Sequence, residues 1–139
     1  MIRRAKAHWS GNLKEGKGTL TTASNILKET NYSYKTRFED GTDGTNPEEL
    51  LAAAHAGCFT MAVAAMLSQK NIIPAVLDTE ATLTIEGMSI TKIHLSITAS
   101  LPGMNADDFS GITKDAEKNC LISKVLNIPI SSEAYFNIG

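Results

Sequence analysis

The stretch NPEELLAAAHAGCFTMAVAAML, residues 46–67, sets one thiol, Cys58, among alanines, methionines and leucines. The only other cysteine, Cys120, opens the run CLISKVL. Thiolates attack electrophiles, oxidise stepwise and pair into disulfides. The plainest account of Cys58 is nonetheless a small core hydrophobe, because free cysteine is among the most buried residue types and a desolvated thiol is a poor acid. Cys58 also falls about three turns into any helix that starts at Pro47, beyond the reach of the helix dipole. For it to react, a cation must stabilise its thiolate. The chain has three arginines: Arg3 and Arg4 at a terminus, where charge is solvated, and Arg37 between Thr36 and Phe38. Pattern alone reads Arg37 as an exposed strand charge.

Cys120 sits where a short helix would start, a position that makes a thiol more acidic and more accessible. The two cysteines, 62 positions apart, are either unrelated core residues or a reactive thiol with its resolving partner. The second case needs Cα atoms within about 7 Å. His55, one turn before Cys58, admits a Cys/His pair or a packed histidine. His8 and His94 follow the polar alternation of strands. No zinc spacing, phosphate loop or dinucleotide fingerprint appears, so neither a metal nor a cofactor is expected.

The elements that must position these residues form an α+β pattern. RRAKAHWS alternates Ala5, Ala7 and Trp9 with Arg4, Lys6 and His8; GKGTLTT is a second short strand. YSYKTRF places Tyr32, Tyr34, Thr36 and Phe38 on one face of a third, and EDGTDGT, 39–45, is a Gly/Asp loop. A helix follows: Asn46 as N-cap, Pro47 at the first position, Glu48 and Glu49 at the positive end, with Glu49 set to close a capping box. It runs to about Gln69 and is apolar all round, so it needs cover on every side. DTEATLTIE and TKIHLSITA, joined by GMS, form a hairpin whose dry face carries Thr79, Ala81, Leu83, Ile85, Ile93, Leu95, Ile97 and Ala99. A helix starting at Asn105 or Asp107, a short helix in CLISKVL and a strand in IPISSEAYF complete the order.

The chain is 139 residues long, 42% hydrophobic, with net charge −2, which suits one domain, residues 1–139, with a real core. No basic run points to nucleic acid or to an anionic membrane. Residues 50–67 are uncharged apart from His55, yet seven alanines and the absence of flanking aromatic belts favour a core helix over a membrane span. MIRRAKAHWSG lacks an apolar h-region, and two cysteines make no disulfide scaffold; reduced thiols in a cytoplasm are expected.

AHWSGNLKEGKGTL, YSYKTRFEDG, GTNPEELLAAAHAGCFTMA, ITKIHL and CLISKVL together resemble the OsmC/Ohr family, in its OsmC branch, over nearly the whole chain. The resemblance implies an intertwined α+β homodimer, an antiparallel sheet around two long buried central helices, and a thiol peroxidase that reduces organic hydroperoxides and, less efficiently, hydrogen peroxide. It implies Cys58 as the peroxidatic thiol, Cys120 as the resolving thiol, Arg37 as the thiolate's cation and Glu48 as the carboxylate that orients it. A dithiol reductant of lipoyl type is implied as well. Leu121 and Ile122 stand where the family usually has Pro and Val, which removes a pre-set helix start after Cys120. A redox sensor with little turnover and a carrier of apolar ligands are the competing readings.

Overall fold

A computed structural model describes residues 1–40, 43–74 and 76–137. Gly41 and Thr42, in the expected Gly/Asp loop, lie outside the described residues. The chain forms two compact units, divided between Leu50 and Leu51.

In the first unit, β1 (Ala5–Ser10), β2 (Lys17–Thr22) and β3 (Thr30–Tyr32) make an antiparallel sheet in the order β1-β2-β3. Gly18 lies opposite Trp9, under an edge-to-face contact between Trp9 and Tyr32 whose centroids are 5.6 Å apart. A Cβ at Gly18 would collide with both rings, so this crossing tolerates only glycine. The alternation in YSYKTRF is not a strand. The chain leaves β3 after Tyr32 and turns into a short helix, α1 (Tyr34–Phe38). Ser33 and Thr36 explain it: the Ser33 hydroxyl accepts from the Thr36 N–H at 3.2 Å, and the Thr36 hydroxyl accepts from the Ser33 N–H at 2.8 Å. That reciprocal capping box outweighs a period-2 pattern only a few residues long. Arg37 is therefore helical.

The long helix α2 spans Pro47–Gln69, 23 residues. Asn46 caps it as expected, its Oδ1 accepting from the Glu49 N–H at 2.7 Å. The Glu49 carboxylate accepts from the Thr45 hydroxyl at 2.8 Å rather than folding back on Asn46.

The second unit holds most of α2, then β4 (Val76–Glu86), β5 (Ser89–Ser100), α3 (Ala106–Asn119), α4 (Leu121–Val125) and β6 (Ile130–Asn137). Its sheet order is β4-β5-β6. β4 and β5 pair antiparallel through the two-residue turn Gly87–Met88, where Gly87 takes φ +64°. β6 runs parallel to β5, so the sheet is mixed, not antiparallel throughout. The reason is the connection: α3 and α4 carry the chain back across the sheet, as a parallel neighbour requires. The register slips between Thr84 and Ile85, where Thr91 of β5 is the extra residue, and Ile85, beyond the slip at the hairpin end, is 40% exposed.

Ile93, Leu95, Ile97 and Ala99 have no exposed surface and pack with Phe59, Val63 and Leu67 of α2 and Phe109, Ile112 and Ala116 of α3. Burying each large member is worth about 1.5–3 kcal/mol. Among the described residues α2 alone is long and apolar enough to cross a membrane. Its stripe His55, Phe59, Val63, Leu67, spaced four apart, is nevertheless fully buried in this protein core. Cover is one-sided: Ala53, Ala54, Gly57, Met61 and Ala65 are exposed within the chain.

Candidate active site

The second unit brings the two cysteines together. Cys58, next to buried Phe59 on α2, is half-buried, and its sulfur accepts from the Ile122 N–H at 3.4 Å. Cys120 ends α3 and starts α4. Its N–H donates to the Ala116 carbonyl at 3.0 Å, and its sulfur accepts from the Ser123 N–H at 3.3 Å as the N-cap of α4. Leu121 in place of proline thus leaves the helix start intact, because the thiol itself caps it. Double capping also corrects an expectation: Cys120 is not accessible but 3% exposed, enclosed by the core. Burial pushes the Cys58 thiol above its ordinary pKa; the Ile122 N–H draws it back down, Cys120 beside it raises it further, and the Leu121 N–H gives a smaller opposing pull.

The first unit brings Arg37 and Glu48 together. The guanidinium donates Nε and an Nη to the same carboxylate oxygen, at 2.8 and 2.6 Å. The second oxygen, Oε2, is buried and has no partner among the described residues. The Arg37 side chain is 43% exposed and that of Glu48 11%, so the cation reaches solvent while the carboxylate is held. Local sequence sets the geometry. The Ser33–Thr36 box fixes α1, and Asn46, besides capping α2, donates from Nδ2 to the Thr36 carbonyl at 3.1 Å, tying the helix that carries Arg37 to the first turn that carries Glu48.

Two further residues join the thiols. His55 Nε2 lies 2.7 Å from Ser123 Oγ, which lies 3.0 Å from Cys120 Sγ. Sequence reasoning weighed His55 only against Cys58 and passed over Ser123. The available signal was spacing: Ser123 stands three after Cys120, where an N-cap side chain finds its N–H.

A buried thiol behind a half-buried one, on an α+β unit with a long apolar helix, defines a class of two-thiol domain. The sequence pattern of the OsmC-like protein family matches residues 39–133, and the chain belongs to that family, in its OsmC branch. It is 43% identical over 133 residues to the peroxiredoxin OsmC of Escherichia coli, covering 93% of this chain and 92% of the relative. The fold is similar to that of an OsmC-like protein from Vibrio cholerae, with a TM-score of 0.73 at 14% identity, covering 96% of this chain and 99% of that one. An organic hydroperoxide resistance protein from Legionella pneumophila overlays with a TM-score of 0.66 at 21% identity, covering 99% and 98%.

Proposed function

We propose that the protein is a cysteine-based hydroperoxide reductase acting in a cytoplasm, with Cys58 as the peroxidatic thiol and Cys120 as the resolving one. The observation that carries this reading is the meeting of two free cysteines, one half-buried and one enclosed behind it. The naming of a 43% identical relative as a peroxiredoxin supports it.

The Cys58 thiolate attacks the distal oxygen of the hydroperoxide. An S–O bond forms, the O–O bond breaks, and the departing alkoxide takes a proton to leave as the alcohol, with Cys58 oxidised to a sulfenic acid. Cys120 then attacks the Cys58 sulfur, and hydroxide leaves as water after taking a proton. A dithiol, of lipoyl type in this reading, reduces the disulfide by exchange and is itself oxidised. Because burial raises the Cys58 pKa, a cation is required, and Arg37 supplies it with Glu48 holding the guanidinium plane. The apolar residues around Cys58 on α2 favour organic hydroperoxides over hydrogen peroxide.

The working unit is a homodimer. Glu48 and Cys58 are ten residues apart on one helix, roughly 15 Å along its axis, too far for a glutamate to serve its own chain's thiolate. Two copies of α2 packed antiparallel through the exposed Ala53, Gly57 and Met61 side would set the Glu48 end of one beside Cys58 of the other.

Thiol titration after one equivalent of cumene hydroperoxide tests the proposal. Two thiols lost per chain without intermolecular crosslinking is the expected result, and no loss refutes it. Steady turnover with dihydrolipoamide, set against thioredoxin, then separates a peroxidase from a sensor that oxidises once.

A further inference from the structure

His55 is fully buried, at 0% exposure, and Ser123 is 7% exposed. A buried polar pair is costly unless its hydrogen bonds are complete, and an aliphatic pair would fill the same space without that cost. Here the bonds run in one direction only. His55 Nε2 meets Ser123 Oγ at 2.7 Å, and Ser123 Oγ meets Cys120 Sγ at 3.0 Å. His55 Nδ1 is buried with no partner among the described residues. Burial lowers the pKa of His55, so the imidazole is neutral and carries one proton. An orphaned N–H is rarer in proteins than an orphaned acceptor, which places the proton on Nε2 and the lone pair on Nδ1. Nε2–H then donates to Ser123 Oγ, and the serine hydrogen is free to donate to Cys120 Sγ. The Ser123 N–H donates to the same sulfur at 3.3 Å.

We infer that His55 and Ser123 are positioning residues of the resolving half-reaction, forming a donor chain that holds the Cys120 sulfur as a hydrogen-bond acceptor. Donors aimed at sulfur gain strength as the sulfur gains negative charge. Cys120 carries that charge twice: as the nucleophile that attacks the Cys58 sulfenic acid, and as the group expelled when the reductant thiolate attacks Cys58 of the disulfide. In the first step the Cys120 sulfur gives up its thiol proton and forms the S–S bond. The S–O bond breaks, and the departing hydroxide takes a proton to leave as water. In the second a reductant–Cys58 bond forms and the Cys58–Cys120 bond breaks, its electron pair staying on Cys120. Each donor also gains by polarising the next.

The inference rests on the peroxidase reading, and one experiment separates the two. Reduced protein is mixed with stoichiometric cumene hydroperoxide, quenched at intervals into dimedone and N-ethylmaleimide, and weighed by mass spectrometry, giving separate rates for formation of the sulfenic acid and for its closure to disulfide. Ser123→Ala and His55→Leu are expected to form the Cys58 sulfenic acid as wild type does and to close it about 10- to 100-fold more slowly, the range of one charge-assisted hydrogen bond. Ser123→Thr and His55→Gln, which keep the donors, are expected to recover most of the rate. A merely structural role predicts no such rescue. Closure at the wild-type rate in Ser123→Ala, or Thr and Gln variants as slow as Ala and Leu, overturns the inference. Should Ser123→Ala fail to fold, the His55→Leu and His55→Gln pair carries the same comparison. Loss of neither thiol in wild type, as sulfenic acid or as disulfide, overturns the peroxidase reading, and this inference with it.

Discussion

Cys58 and Cys120 are unequal in exposure, and their proposed roles differ accordingly. Cys58→Ser should abolish hydroperoxide reduction, whereas Cys120→Ser should permit one oxidation and block recycling by a dithiol; a peroxide-consumption assay beside a single-turnover assay distinguishes them. Cys58 has its thiol pKa raised by burial before any other cause, so its thiolate population at neutral pH depends on a cation. Arg37→Ala should move the pH profile of Cys58 alkylation upward, slowing alkylation below the thiol pKa, and Arg37→Lys should restore little, because a planar guanidinium spans a carboxylate and a thiolate where a point ammonium does not. An unchanged alkylation profile would remove Arg37 from the site. The cysteines were visible in the sequence as types, but their meeting was not, since nothing in the 61 intervening residues encodes a contact between α2 and the α3–α4 junction. The Arg37–Glu48 pair, drawn in the sequence reading from resemblance, has its physical basis in Asn46, which serves both α1 and α2.

Elements with strong period or strong caps were legible. Asn46, Pro47 and two glutamates marked the start of α2, and the alternation of Ile93, Leu95, Ile97 and Ala99 marked β5 to the correct face. Short elements were not legible, because seven residues of alternation in YSYKTRF fit a strand as well as a helix until Ser33 and Thr36 are seen to close a box. The parallel sense of β6 depends on how α3 and α4 return the chain, which no local pattern carries. His55 gives α2 a pH-dependent stability. Its folded pKa lies below the ordinary value near 6.5, so between the two the unfolded chain binds more protons and stability rises with pH. The contribution is fully present above about pH 6.5 and falls as the pH drops through 6.5 towards the folded value. Wild type should therefore lose more Tm between pH 7.5 and 5.5 than His55→Gln does; equal losses would assign the acid sensitivity to other groups.

At the scale of the whole molecule, the apolar circumference of α2 predicted cover on every side, and the chain supplies it along one stripe. The exposed side, with Met61 at 75%, is the surface on which the proposed dimer depends. Mixing inactive Glu48→Ala with inactive Cys58→Ser under subunit exchange should recover activity, since each heterodimer holds one site with both residues intact. No recovery in verified heterodimers would put both residues of one chain in a single site. The double cap at Cys120 has a consequence beyond catalysis. A disulfide sulfur is a weaker acceptor than a thiol or thiolate, so oxidation withdraws the cap that orders the first turn of α4 while the α3 end, held through the Cys120 backbone N–H, keeps its bond. The redox state of one bond would then be written into local opening of the backbone. Amide hydrogen exchange at Ser123 should quicken on oxidation, with the β5 core as slow as before; equal protection in both states would show that the cap survives the disulfide.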